Sequence, residues 1–275
     1  MDRVTGHRGR RRRMLRSDRL RAIADLARES GSIRVSDLSD RLGVTEVTIR
    51  RDLARLAEAG VVRREHGGAV ALRGVESQYA LRAGEEQDAK RAIARHAAEL
   101  VADGATIVID SGSTTAELAR ELVEKRNLRV VTNAITTAAE VAENPDATII
   151  LTGGVFRRST RGTVGDIAVR TLSTLRADQA FIAAAGVAVD GLSYPALEEV
   201  SVKQAMIASA AEVILLADHS KFDQVSLALF ADLGSIDRFV TSAPPEGALA
   251  LALEEAGVEV MVAGADAGAG EREIA

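Results

Sequence analysis

Val44-Thr45-Glu46-Val47-Thr48-Ile49-Arg50-Arg51-Asp52-Leu53 reads as the opening of a helix, and its pattern decides how the front of the chain is built. Thr45 carries a hydroxyl suited to an N-cap, while Ile49, Leu53 and Leu56 recur at the spacing that puts them on one face. Glu46, Val47, Thr48, Arg50 and Arg51 are then left to point outward. Just upstream, Ser36 with Asp37 opens a helix containing Leu38 and Leu42, and Gly43 supplies a tight turn that needs positive φ. A first helix is predicted from Leu20, Ile23, Ala24, Leu26 and Ala27, stopped by Gly31, with a β-prone piece, Ser32 to Val35, after it. Beyond the third helix, Gly60 marks its end, Val61 to Arg64 is β-prone, and Gly67-Gly68 turns the chain into Ala69 to Leu72. Three helices and a small hairpin over residues 17–73 make a small α+β winged helix-turn-helix.

Charge supports that reading. Residues 1–73 hold 18 Arg and no Lys against 10 acidic side chains, whereas the remainder holds 17 basic and 30 acidic ones. A basic head on an acidic body asks for a polyanionic partner, and the helix-turn-helix makes a double-stranded DNA operator the expected one. The candidate DNA-binding residues are Ser36, Thr45, Val47, Thr48, Arg50 and Arg51 from the helix-turn-helix, with Arg63, Arg64 and His66 on the wing. Arg can grip guanine through two acceptors, and Thr can meet a base edge or a phosphate. The plain alternative is a solvated Arg50-Arg51 face and a His66 that merely sits in a turn; the cap, the basic tail and the Gly-Gly turn around them favour DNA.

Residues 1–16 are Arg-rich and polar and are expected to be a disordered tail, with Met14 just before the first periodic segment as an alternative start. The run Arg10 to Arg13 leads into Arg16, Asp18, Arg19 and Arg21 instead of an apolar stretch. The longest apolar run, Ala180 to Val189, falls short of the roughly 20 residues a membrane span requires, so a cytoplasmic protein is expected. Without cysteine and with four scattered histidines, no disulfide, thiolate site, metal or cofactor is expected.

After a polar linker at 74–88, residues 89–263 alternate strand-length apolar runs with Ala-rich helical stretches. Strands are predicted at Thr106 to Asp110, Leu128 to Thr132, Thr148 to Thr152, Gln179 to Ala183, Val213 to Ala217, Arg238 to Thr241 and Val258 to Val262. Helices fit between them, as at Thr115 to Lys125, Ala134 to Glu143, Asp166 to Leu175 and Val200 to Ala211. That alternation predicts an α/β, Rossmann-like domain with a mainly parallel sheet, followed by a disordered tail at 264–275. Asp110-Ser111-Gly112-Ser113-Thr114-Thr115 lies at a strand-to-helix junction, where backbone N–H groups can surround an anion. A simple turn explains such a loop equally well. Its position at a strand's carboxyl end, shared with Thr132-Asn133, Thr152-Gly153-Gly154 and Asp218-His219-Ser220-Lys221, favours a ligand site.

The segment from Val44 to Leu53, followed by His66-Gly67-Gly68-Ala69, resembles the DeoR family signature, with Thr45 where the family usually has Ser. The resemblance runs from about Ser17 to Val262. It implies a repressor of a sugar or polyol operon, controlled by a sugar phosphate effector bound in a domain related to ribose phosphate isomerases. It further implies that the phosphate meets Gly112, Ser113 and Thr114, and that Asp110, Asn133, Gly154 and Glu199 meet the hydroxyls. By the same resemblance Gly165, Lys203, Asp218 and Lys221 line the pocket, Lys221 adding a charge-assisted contact. Arg157 and Arg158, just after Gly154, are either further positive charge or a solvated loop. Repeated half-sites predict a homodimer or homotetramer.

Isomerisation of a sugar phosphate needs a carboxylate base and groups that stabilise an enediolate. The chain has Phe181-Ile182-Ala183-Ala184-Ala185-Gly186 where isomerases place an acidic pair, and Tyr194-Pro195 where relatives have a small polar segment. No catalytic residue is therefore expected. The competing reading is a sugar phosphate isomerase with an accessory nucleic-acid module, resting on Glu199, Asp218 and Lys221; a third is a body that only pairs the heads.

Overall fold

Three short helices, α1 (Arg16–Ser30), α2 (Val35–Leu42) and α3 (Glu46–Glu58), close on one another through apolar positions spaced along their inner faces. Ile23, Ala24 and Ala27 of α1, Leu38 of α2, and Ile49, Leu53 and Leu56 of α3 form one buried cluster with Val62 and Ala69. The computed structural model describes residues 16–58, 62–65, 67–71, 79 and 82–264. His66, residues 1–15 of the basic tail, residues 74–78, 80 and 81 of the linker, and the tail after Gly264 lie outside the described residues. The chain divides into two units, Met1–Leu81 and Arg82–Ala275, each described by itself.

Gly43 takes φ 64° at the end of α2, and its N–H returns to the Ser39 carbonyl, which makes the turn of the helix-turn-helix. Helix α2 starts one residue before Ser36, after Arg34, and Ser36 donates to Asp37 Oδ1 at 3.0 Å instead of capping. At α3 the Thr48 N–H reaches Thr45 Oγ1 at 3.4 Å. The hairpin of β2 (Val62–Glu65) and β3 (Gly68–Ala71) gains a third antiparallel strand, β1 (Ser32–Arg34). A Cβ at Gly68 would stand 2.2 Å from the Ile33 carbonyl oxygen, so glycine is what lets β1 and β3 approach.

The second unit opens with α4 (Gln87–Glu99) and alternates strand and helix as far as β6: β4 (Thr106–Ile109), α5 (Ser113–Glu121), β5 (Arg129–Thr132), α6 (Ile135–Val141) and β6 (Thr148–Leu151). A short hairpin follows, β7 (Val155–Arg157) with β8 (Gly162–Val164), then α7 (Asp166–Ser173) and β9 (Ala177–Ala183). After β10 (Gly186–Ala188) and β11 (Gly191–Tyr194) come α8 (Leu197–Ser209), β12 (Ala210–Leu216), β13 (Ala228–Ala231), β14 (Arg238–Thr241), α9 (Gly247–Glu255) and β15 (Glu259–Val262). Seven strands form one parallel sheet in the order β15-β14-β12-β9-β4-β5-β6. Each lies where an apolar run predicted it.

Alternation through the pleat builds a core on each face. Val108, Ala180, Ile182, Val213, Leu215 and Phe239 pack with Leu172, Val202, Met206 and Leu253 on one side. Ile107, Ile109, Phe181, Ile214 and Val240 pack with Ile93, Leu118 and Leu122 on the other. The sequence reading did not place the β7–β8 hairpin or the small antiparallel sheet β10-β11-β13. Strand order reverses between β4 and β9, so the crevice outside their carboxyl ends is the switch point of the fold.

Candidate functional site

In the first unit α3 turns a polar face outward. Thr45, Glu46, Val47, Arg50 and Arg51 are exposed, and Thr48 is half-buried. Val47, 65% exposed, is the one large apolar side chain left exposed among the described residues of this unit. Arg50 donates to Glu46 Oε2 at 2.6 Å, and the Thr45 and Thr48 hydroxyls lie 3.0 Å apart, whereas Arg51 has no ion-pair partner among the described residues. Asp52 is buried and accepts from Arg19 Nε at 2.6 Å, clamping α3 to α1. On the wing Arg63 and Arg64 are exposed, Arg63 pairing with Glu65 at 3.1 Å.

In the second unit the loop after β4 lies at the switch point. Gly112 has extended backbone, so its need for glycine is one of space: a Cβ there would meet that of Ala183 at 2.7 Å. Thr115 spends its hydroxyl on the Asp110 carbonyl at 2.7 Å, which fixes the loop and leaves Ser113 and Thr114 in the first turn of α5. Asp110 accepts from the N–H groups of Ser111 and Ala183 and from the buried ammonium of Lys203, which also donates to the Ala183 carbonyl at 2.7 Å. Asp110 and Lys203 thus meet each other and seal the crevice floor. Lys203 lies over the Tyr194 ring, 4.4 Å from its centroid.

Above that floor the geometry leaves acceptors unused. Glu199, one turn before Lys203 on α8, is 1% exposed, and neither carboxylate oxygen has a partner with hydrogen-bond geometry. Burial raises its pKa, opposed by the Lys203 charge and the Thr160 hydroxyl. Asn133 donates to the Thr163 carbonyl at 3.0 Å while its Oδ1 has no partner, and Asp218 Oδ2 is likewise buried and unpartnered. Ser159 and Thr160, in the β7–β8 loop, add two more buried hydroxyls in that state.

Gly154, at φ 112° with a virtual Cβ 2.5 Å from the Val164 carbonyl oxygen, closes the base of the hairpin, and Gly165 takes φ 93° at its exit. The hairpin folds back on the strand ends: a Cβ at Gly162 would stand 2.8 Å from that of Ser111, and Thr163 N–H donates to the Asn133 carbonyl at 2.7 Å. Arg157 pairs with Glu198 at 2.5 Å.

Lys90 is a buried cation that the sequence reading missed. It is 1% exposed, its ammonium bonded to the carbonyls of Arg82 and Glu85. Burial lowers its pKa to about 8; Asp218 opposes that shift and the half-exposed Lys221 adds to it, so all three share one field. The signal was present, since Lys90 stands on the buried stripe of α4 with Ile93, Ala94 and Ala97. A cavity of about 410 Å³ opens at the other end of the sheet from the crevice, beside Asp103, Asp178 and Glu212. Each of those carboxylates is already held, by the Arg126 N–H, the Thr106 N–H and Arg238.

A winged helix-turn-helix followed by a parallel α/β unit with a polar crevice at its switch point defines a ligand-sensing transcription regulator. The chain belongs to the DeoR family: residues 19–74 match the DeoR-like helix-turn-helix domain and residues 85–243 the DeoR C terminal sensor domain. It is 37% identical to the HTH-type transcriptional regulator GlpR of Haloferax volcanii, across 90% of this chain and 98% of the relative. It is 33% identical to the Glycerol-3-phosphate regulon repressor of Escherichia coli, across 84% and 93%. It is also similar to ribose 5-phosphate isomerase A of Methanocaldococcus jannaschii, with 20% identity, a TM-score of 0.37, and 50% of this chain and 55% of that one covered. The relatives are named as regulators, and the chain is a transcription regulator. Among the described residues no helix is long and apolar enough to cross a membrane.

Proposed function

We propose that the chain represses a sugar or polyol operon and that a phosphorylated sugar or polyol, bound in the crevice outside β4 and β9, controls its grip on operator DNA. The observation that carries this reading is a set of buried acceptors, Asn133 Oδ1 and Asp218 Oδ2 without donors and Glu199 with only the Thr160 hydroxyl near it, in the strand-end loops and facing helix around the N-terminus of α5. Acceptors of that kind suit a ligand rich in hydroxyl donors, and the N–H groups of Gly112, Ser113 and Thr114 suit a phosphate. Lys221 adds a cation, while Asp110 and Lys203 serve as the fixed floor. In the DNA-binding unit Thr45, Val47, Thr48, Arg50 and Arg51 meet the major groove, and Ser36, Arg63 and Arg64 meet the backbone. A homodimer or homotetramer engages repeated half-sites.

The effector must bind the DNA-bound and free states unequally. Titration of the operator complex with a panel of phosphorylated sugars and polyols, sn-glycerol 3-phosphate included, tests this. At least one member is expected to change operator affinity fivefold or more; a panel that leaves affinity unchanged at saturation overturns the reading.

A further inference from the structure

We propose that Val47 and Arg51 read an adjacent thymine and guanine on one strand of the operator, the valine methyls packing on the thymine 5-methyl group and the guanidinium bridging guanine O6 and N7. This rests on the DNA-binding role of α3 and names the step it reads. Residues 47 and 51 are four apart on α3, hence neighbours on one face and about 6 Å apart along its axis. An axis inclined in the groove brings that separation close to one base step of about 3.4 Å.

The neighbouring polar groups already have exposed contacts of their own, each weak enough to be exchanged for DNA, whereas Arg51 has none to give up among the described residues. Thr45 and Thr48 face each other through their hydroxyls, and Arg50 is held by Glu46. Arg51 is exposed with no ion-pair partner among the described residues, so it reaches a base without breaking an existing contact. Among the described residues Val47 is the unit's one exposed large apolar side chain, and it stands in the first turn, the part of a recognition helix that enters the groove. The thymine methyl is the apolar feature that distinguishes one base in that groove, and guanine offers the paired acceptors that Arg fits.

Selection of sites from a randomised duplex pool by the full-length protein supplies the DNA. A thymine-guanine step in each half-site is expected. Replacing that thymine by deoxyuridine, which lacks only the methyl group, is expected to weaken wild-type binding about fourfold, the equivalent of one buried methyl. Val47→Ala is expected to lose a similar factor on the thymine duplex and to bind the deoxyuridine duplex no more weakly than that. Arg51→Ala is expected to lose more than about tenfold and to stop distinguishing guanine from 7-deazaguanine. A wild-type protein indifferent to deoxyuridine at every thymine overturns the inference while leaving DNA recognition intact, as does a Val47→Ala variant that stays fully sensitive to it. If no sequence is enriched at all, the DNA-binding role itself falls and the inference with it.

Discussion

The ammonium of Lys203 rests on Asp110 Oδ2, both side chains 1% exposed, and through that contact α8 is tied to the loop that follows β4. The pair keeps its geometry because Asp110 also accepts two backbone N–H groups and Lys203 also donates to a carbonyl. A buried pair supported in this way is costly to break from one side, since the survivor is left charged in a poorly polarisable interior.

Lys203→Met is therefore expected to cost about 3–5 kcal/mol, because Asp110 keeps its charge without the ammonium. For a unit of this size that lowers the melting temperature by roughly 10 °C. Adding Asp110→Asn to the same chain is expected to recover part of the loss, since the buried charge is then gone. Calorimetry on the single and double variants checks this, and a double variant less stable than either single one would show that the pair is not the coupled unit described.

Glu199 makes the opposite kind of prediction. Its carboxyl has a raised pKa chiefly because it is buried. Relative to the unfolded chain, the folded protein thus holds a proton more firmly, and stability is lost as pH rises from the ordinary carboxyl value through the raised one. Glu199→Gln is expected to remove that loss, so the ligand-free variant melts higher than wild type at neutral pH. The same substitution is expected to diminish the thermal shift given by a phosphorylated polyol, because an acceptor becomes partly a donor. Melting curves from pH 4 to 8, with and without ligand, separate the two effects.

The parallel sheet was legible because its strands are buried on both faces and therefore appear as unbroken apolar runs, Phe239 and Val240 facing opposite cores from adjacent positions. The β7–β8 hairpin was not, because its strands have three residues each and its place is set by contacts remote in sequence, such as Gly162 against Ser111. The same limit applies to the crevice. Asp110, Glu199 and Lys203 were recognisable as candidates, but nothing in the spacing could say that Asp110 and Lys203, 93 residues apart, meet each other while Glu199 is left open. Lys90 was not singled out from the sequence, because a lysine is ordinarily exposed and only its place on the buried stripe of α4 points the other way.

Lys90 offers a test in the alkaline range. Its pKa of about 8 lies below the ordinary value of 10.5, so between these limits the unfolded chain holds more protons than the folded one. Stability contributed at this position accordingly rises with pH across that window and is flat below it. Lys90→Met is expected to abolish the rise, a difference of about 3 kcal/mol between wild type and variant accumulated from pH 8 to 10.5. Denaturant titrations at several pH values measure it directly. Parallel pH profiles for the two proteins would rule Lys90 out as a buried, titrating cation.

The last prediction concerns the wing and separates contact from positioning. Arg64 is exposed with no ion pair among the described residues, and the Arg63–Glu65 pair is itself exposed, so its strength of under about 1 kcal/mol does not keep Arg63 from a phosphate. Each arginine that neutralises a phosphate adds about 0.9 to the slope of log affinity against log salt concentration. Arg64→Ala and Arg63→Ala are thus each expected to reduce the slope by about one unit per protomer, nearly uniformly across DNA sequences. Asp52→Ala is expected to act differently. Asp52 faces Arg19 in the interior of the head and touches no phosphate, so its loss weakens binding by loosening α3 and lowers the melting temperature. The salt slope then changes little, because the surface cations are all still present. Affinity measured from 50 to 200 mM salt distinguishes the two kinds of residue: an unchanged slope for both wing variants would take the wing off the DNA, and a slope reduced by Asp52→Ala would mean that the wing arginines depend on the Arg19–Asp52 clamp to reach it.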